Sequence, residues 1–396
     1  MSRPLRLVVA AGGTGGHVMP ALSAARAVLA RRPGSEALFV GVGRPAEADI
    51  LGPELWPRLI LAVSGLKGRR PTAWPKVMWQ AFRGLARSME LMRSFRPDVC
   101  LGVGGYVTGP VGLAAWLAGV PLALHEQNSR PGLANRWLGR LADAVMLGFP
   151  AAATAFPAGR TTVAGNPVRE EIAAAGLSRR DFGRRPATLL ILGGSQGSSR
   201  LNQAAISLAA SLKARGVEFS IIHQSGAAQL EQSRQAYAEL GVEARVEAFY
   251  RDMAAVYREA HLALARAGAL TTAELAAARL PAIMTPLPTA ADDHQTLNAR
   301  FLAERGAARL IPEAELDVRL VPTVVELLER PELLAAMEAA GAAAGVLVDR
   351  GGDRMAEVLL RLADGRAAAE SAAKSAAASR AETRIGSGGP DARPEE

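Results

Sequence analysis

The chain has 396 residues, 49% hydrophobic and 21% charged, with one cysteine and a formal net charge of +8. At ~100 to 200 residues per domain this composition supports two packed domains, and the single Cys100 excludes a disulfide framework and a cysteine-based zinc site while fitting a reducing compartment such as the cytoplasm. Charge is uneven: residues 1–168 carry 19 Lys/Arg against 8 Asp/Glu and residues 169–364 carry 22 against 25, so the positive excess belongs to the first half.

Basic residues precede the first apolar run, 5–10, as in a secretory signal, but the run is short and breaks at Gly12-Gly13, which makes it a first strand. Further runs rich in Val, Ile and Leu at 37–41, 59–63, 98–103, 120–124 and 144–147 alternate with Ala/Leu/Arg segments of helical period. That alternation predicts a parallel sheet covered on both faces. The longest weakly polar stretch, 111–124, is shorter than the ~20 residues a bilayer requires and contains Gly112, Gly119 and Pro121, so no membrane span is predicted. The alternation breaks at Gly165-Asn166-Pro167, where Pro167 disfavours helix at the residue before it, and restarts with 188–192, 217–222, 244–248, 261–265 and 282–285.

The predicted class is therefore α/β, with two Rossmann-like doubly wound domains facing a cleft, 1–165 and 166–345. A C-terminal helix, 346–364, is expected to pack back on the first domain. From 365 to 396 the sequence turns to Ala, Ser, Gly, Arg and Glu without apolar periodicity, which predicts a disordered tail.

Each half carries a glycine-rich turn after its first strand. Gly12-Gly13-Thr14-Gly15-Gly16-His17 opens a helix whose free N–H groups and dipole suit a phosphate or sugar; the same glycines also suit a tight turn needing positive φ. The dinucleotide fingerprint fails, because the third glycine counted from Gly13 is replaced by Val18, and no Walker A pattern occurs. Gly193-Gly194-Ser195-Gln196-Gly197-Ser198 repeats the arrangement in the second half, where Ser195 and neighbouring amides could donate to a pyrophosphate beyond the strand ends.

Three polar clusters accompany the turns. His125-Glu126-Gln127-Asn128 crowds the carboxyl end of an apolar strand, where open α/β sheets bind ligands, though Asn128 or Ser129 could instead cap a helix starting near Pro131. In the run Arg266 to Glu274, the carboxylate of Glu274 could accept the vicinal hydroxyls of a ribose or simply favour a helix start. Gln295 and Asn298, three apart on one helix face, could read sugar hydroxyls. Asp292-Asp293 is not a D-x-D pair and the five histidines are scattered, so no metal site and no cofactor are predicted.

These motifs together, with Gly104-Gly105-Tyr106 and Gly165 to Arg169, resemble the MurG family of peptidoglycan N-acetylglucosaminyltransferases over residues 5 to about 360. The resemblance implies the glycosyltransferase-B fold and an inverting transfer of N-acetylglucosamine from UDP-GlcNAc to the 4-hydroxyl of N-acetylmuramic acid in lipid I, giving lipid II. It implies that Thr14, Gly15, Gly16, Asn128, Arg169, Ser195, Ala269, Leu270, Thr271, Thr272, Ala273, Glu274 and Gln295 bind the donor. Gln196 is expected beside the diphosphate, the backbone around Tyr250 at the uracil, Asn298 at the sugar and Tyr106 at the acceptor. Arg169 offers a fixed positive fork to the departing diphosphate in place of a metal. His17 is the first candidate for the general base, because an imidazole titrates near neutrality, with Glu126 and His125 as runners-up.

All five tryptophans lie in the basic half, and residues 66–96 hold eight Lys/Arg with one acid. Lys67, Arg69, Arg70, Lys76 and Arg83 could hold the first domain against the anionic cytoplasmic leaflet of the inner membrane, at ~1 kcal/mol per cation. The helical stripe Trp74, Met78, Phe82, Leu85, Met89 and Met92 serves either that contact or the core. Nucleic acid is excluded as a partner, since no basic reading helix, aromatic platform or zinc finger occurs. The alternatives kept are another glycolipid glycosyltransferase of the same fold using a different UDP-sugar, and a non-catalytic sugar-nucleotide binder.

Overall fold

A computed structural model describes residues 3–13, 15–52, 54, 56–65, 70, 72, 74–194, 196–348 and 350–386, without side chains at 46, 346–348 and 372–386. The first lobe is built from β1 (Arg6–Ala11), α1 (Gly15–Arg31), β2 (Glu36–Gly41), α2 (Pro45–Leu51), β3 (Arg58–Ile60), α3 (Trp74–Phe95), β4 (Val99–Gly104), α4 (Thr108–Leu117), β5 (Leu122–Glu126), α5 (Leu133–Leu138), β6 (Ala144–Leu147) and β7 (Thr161–Val163). The strands are parallel in the order β3-β2-β1-β4-β5-β6-β7. Their residues are buried on both faces because helices cover both, which is why they show apolar runs instead of alternation.

The second lobe follows with α6 (Glu170–Ala175), β8 (Ala187–Leu192), α7 (Ser199–Ala214), β9 (Phe219–Gln224), α8 (Leu230–Glu239), β10 (Ala244–Glu247), α9 (Met253–Glu259), β11 (Leu262–Ala265), α10 (Ala269–Ala277), β12 (Ala282–Met284), α11 (His294–Ala303), β13 (Ala308–Leu310), α12 (Leu316–Glu329) and α13 (Pro331–Val348). Its sheet order, β10-β9-β8-β11-β12-β13, repeats that of the first. Both sheets reverse direction beside their first strand, at β1/β4 and β8/β11, and each reversal leaves a crevice outside the strand ends. β7 and β13 escaped the sequence reading: each is a short edge strand, and neither Thr161–Val163 nor Ala308–Leu310 is a continuous apolar run.

α14 (Gly351–Gly386) crosses back to the first lobe. Met355, Ala356, Leu359 and Ala363 join the core under β1, β2 and α1, and Arg32 holds Asp364 through two hydrogen bonds of 2.8 and 2.9 Å. The expected disordered tail is corrected as far as Gly386, since the backbone stays helical and Arg366 donates to the Pro97 carbonyl at 3.0 Å. Alanine-rich sequence carries almost no intrinsic cost in a helix, so the missing apolar period did not stop propagation from a docked first turn. The two crossings between lobes touch: a Cβ on Gly351 would lie 2.6 Å from the Asn166 carbonyl carbon. Beside them Phe149 of the first lobe meets Phe301 of the second edge to face, centroids 4.9 Å apart.

Candidate active site

On the first lobe, the turn after β1 interlocks with the turn after β4. Gly105 has φ +80°, and a Cβ there would sit 2.4 Å from the Gly12 carbonyl oxygen, so only glycine permits the approach. Thr108 accepts from the Gly104 amide at 3.0 Å and fixes the second turn. Gly104 in turn lies against the His17 ring, where a Cβ would meet Cδ2 at 3.0 Å. Gly15, Gly16 and His17 form the first turn of α1, and Thr14 lies outside the described residues.

His17 is half-buried, and among the described residues its buried Nδ1 makes no hydrogen bond of ordinary geometry. Burial is the largest influence on its pKa and lowers it below the usual imidazole value; the Gly12 backbone opposes that, and His294 across the cleft adds to it. The ring is therefore neutral at neutral pH and able to take a proton. Tyr106 is 52% exposed, its ring beside Gly65.

His125 and Glu126, the runners-up as base, are corrected. Both side chains are buried, and both are committed to structure. His125 Nε2 pairs with the Gly165 carbonyl at 3.0 Å and Nδ1 with Gln127 at 3.0 Å, and burial drives its pKa down to about 4. Glu126 accepts from the amides of Asn128 and Gly132 at 3.0 and 3.1 Å and from Asn135 Nδ2 at 3.0 Å. Burial raises its pKa and these bonds oppose the rise. Neither Asn128 nor Ser129 caps α5; the capping position is Gly132, and the Glu126 carboxylate takes its amide.

On the second lobe, α10 starts at Ala269 with no side-chain cap, and Ala269, Leu270 and Thr271 are half-buried. The unpaired first-turn amides of such a helix suit an anion or hydroxyl. Thr272 and Ala273 are buried, and both the hydroxyl and the amide of Thr272 donate to the Gly268 carbonyl at 2.9 Å, so neither side chain is free for a ligand. Glu274 accepts from the Tyr257 hydroxyl at 2.9 Å and faces Arg169 at 4.0 Å. Burial raises its pKa, while Tyr257 and Arg169 pull it back. Ser195 lies outside the described residues, and Gln196 is exposed beside it. Tyr250 donates its amide to Gln224 Oε1 at 3.2 Å, and Gln224 also donates to the Gly194 carbonyl at 3.2 Å, tying the two turns together.

Gln295 spends its oxygen on the amides of Ala267 and Leu287, at 3.2 and 3.0 Å, which leaves its NH2 for a ligand. Asn298, expected at the sugar, is corrected: it is fully buried and bridges the lobes. Its oxygen accepts from the Ser129 amide at 2.9 Å, and its nitrogen donates to Ala267 O at 3.1 Å and Asn128 Oδ1 at 3.3 Å. Asn128 is held in the same bridge. Among the described residues no group of three or more His, Cys, Asp or Glu is placed to hold a metal ion.

Sequence reading missed Glu47, Tyr257 and Gln224, and missed that Arg266 braces the second turn through Ser198 Oγ at 2.7 Å. Each acts on a residue distant in sequence. The one available signal was Gln224, a polar residue ending an apolar strand.

Two lobes of Rossmann order, joined by two adjacent crossings and presenting their crevices to a shared cleft, define the glycosyltransferase-B architecture. Residues 7–147 match the glycosyltransferase family 28 N-terminal domain and residues 188–382 the family 28 C-terminal domain. The transferase from Chromohalobacter salexigens named UDP-N-acetylglucosamine–N-acetylmuramyl-(pentapeptide) pyrophosphoryl-undecaprenol N-acetylglucosamine transferase is 45% identical over 336 residues, 84% of this chain and 90% of its own. One of the same name from Aeromonas hydrophila is 40% identical over 92% of this chain and 99% of its own. The crystal structure of Acinetobacter baumannii MurG superposes with a TM-score of 0.74 at 31% identity, covering 90% of this chain and 100% of that one. The chain belongs to glycosyltransferase family 28, among the MurG-type N-acetylglucosamine transferases.

Proposed function

We propose that this chain transfers N-acetylglucosamine from UDP-GlcNAc to the 4-hydroxyl of the N-acetylmuramic acid of lipid I, with inversion, to give lipid II. The observation that carries the reading is the division of chemistry between lobes. The first presents an imidazole, His17, whose pKa burial lowers, and the second an uncapped helix start beside the Arg169–Glu274 pair. Glu274 takes the ribose hydroxyls, Gln295 a sugar hydroxyl, and the Tyr250 segment the uracil. The acceptor oxygen forms its bond to the anomeric carbon as the bond from that carbon to the diphosphate oxygen breaks, with the electron pair leaving on UDP. His17 takes the acceptor's proton, and the Arg169 guanidinium and the helix-start amides stabilise the departing charge without a metal ion.

Lipid I is confined to a bilayer, and no helix among the described residues is long and apolar enough to cross one. The first lobe meets the cytoplasmic face of the inner membrane through α3, where Trp74, Met78, Trp79 and Phe82 are 52–62% exposed beside Lys76 and Arg83. Only the later turns of the stripe enter the core, at Met92, with Leu85 and Met89 packed against it. Lys67 and Arg69 lie outside the described residues.

Radiolabel transfer to lipid I or a short-chain analogue tests the reading. Turnover is expected with UDP-GlcNAc well above UDP-glucose, unchanged after EDTA treatment, and lowered roughly 10²- to 10⁴-fold in His17→Ala. Equal use of both donors, or recovery only with added magnesium or manganese, would overturn the donor and metal-free assignments respectively. Trp79→Ser/Phe82→Ser should weaken sedimentation with anionic vesicles; unaltered sedimentation refutes the α3 contact.

A further inference from the structure

Glu47, in α2, has no place in the reaction described above. Its carboxylate is 6% exposed, and among the described residues no cation forms an ion pair with it. A buried carboxylate without a counter-charge costs several kcal/mol unless hydrogen bonds replace its hydration. Among the described residues they come only from backbone. Oε1 accepts from the Gly13 amide at 2.8 Å, and Oε2 from the amides of Val42 and Gly43 at 3.0 and 2.8 Å. Gly41 makes room for it: a Cβ there would stand 2.4 Å from Oε2.

The second lobe solves the same problem differently. At the end of β9, which corresponds to β2, the neutral Gln224 donates to the carbonyl of Gly194, and its oxygen accepts from the Tyr250 amide instead of from an amide of that turn. On the first lobe the acid binds the amide of Gly13, which holds φ +107°, and withdraws it from any ligand. Gly13 is four residues before His17, and Gly12 beside it is clamped under Gly105, so the bond fixes the turn from which the imidazole projects.

We infer that Glu47 is a positioning residue for transfer: by anchoring the Gly13 amide between the ends of β1 and β2, it sets the His17 ring toward the acceptor. The inference rests on His17 being the base. It acts through backbone geometry, with the Gly13 amide as the link between the two residues.

The test compares Glu47→Gln, His17→Ala and the double variant in the full chain, reading kcat with UDP-GlcNAc and a lipid I analogue, and UDP affinity by calorimetry. The substituted amide keeps the size but offers one acceptor oxygen where the carboxylate offers two. Glu47→Gln should bind UDP within about twofold of the parent, because that site is on the other lobe, yet lose at least tenfold in kcat. In the His17→Ala background the same change should cost less than twofold, as expected for residues acting as one unit. Undiminished kcat in Glu47→Gln while His17→Ala is strongly impaired, or a full tenfold loss in both backgrounds, overturns the inference. Loss of UDP binding would make Glu47 a determinant of folding and also overturn it. Full turnover in His17→Ala would remove the base assignment instead, and is seen separately from the Glu47→Gln result.

Discussion

Tyr257→Phe isolates one hydrogen bond at the ribose end of the donor site. The Tyr257 ring is fully buried and phenylalanine fills the same volume, so the change removes little more than the hydroxyl that donates to Glu274 at 2.9 Å. A hydrogen bond to a charged group contributes roughly 1.5–3 kcal/mol. Arg169, at 4.0 Å and half-exposed, holds the carboxylate only loosely from the other side. Transmission of half of that contribution to the bound ribose predicts an affinity loss of about 1 kcal/mol, or roughly five- to tenfold in Kd. The pH dependence gives a second signature. Burial already raises the Glu274 pKa and the tyrosine opposes the rise, so its removal raises the pKa further. UDP affinity falls on acidification as the carboxylate is neutralised, and in the variant that fall should begin at higher pH. Calorimetric titration with UDP between pH 5 and 8 measures both. Unchanged affinity together with an unmoved acid limb, in a chain where Glu274→Ala abolishes binding, would refute the claim that Tyr257 orients and tunes this acid.

Gly104→Ala should abolish transfer while sparing UDP binding, because φ +104° is strained for alanine and its Cβ would push on His17 at 3.0 Å; parent-like kcat would refute the interlocked-turn account. Asn298→Ala removes three hydrogen bonds between and within the lobes, leaving the Ser129 amide and the Ala267 carbonyl unpaired, and should lower stability by roughly 2–4 kcal/mol in urea unfolding. His125 and His223 titrate at about 4 in the folded chain against an ordinary 6.5, so the unfolded chain binds more protons between those values and stability is lost as pH falls through that window. Between pH 7 and 5 this is roughly 2 kcal/mol per histidine, and His223→Gln should remove about one such share of the dependence.

Local rules were enough to place the two doubly wound lobes and the two glycine turns. Buried parallel strands must be continuous apolar runs, and a tight turn into a helix needs glycine, so both are written in short stretches of chain. The same rules put His17 and Glu274 in the opening turns of helices that follow strands, while Arg169 was marked by the family resemblance. Which polar side chains remain free to meet substrate was settled by packing alone. Glu126 and Asn298 looked like ligands because they are polar at strand and helix ends, yet their hydrogen-bonding capacity is spent on partners such as Asn135 and Ser129 that only folding brings near. Glu47 and Tyr257 gave no signal, since each acts on a backbone or carboxylate far along the chain. The α3 stripe divides between surface and core for the same reason. Periodicity states that one face is apolar, and only the packed neighbours determine whether protein or another surface covers it.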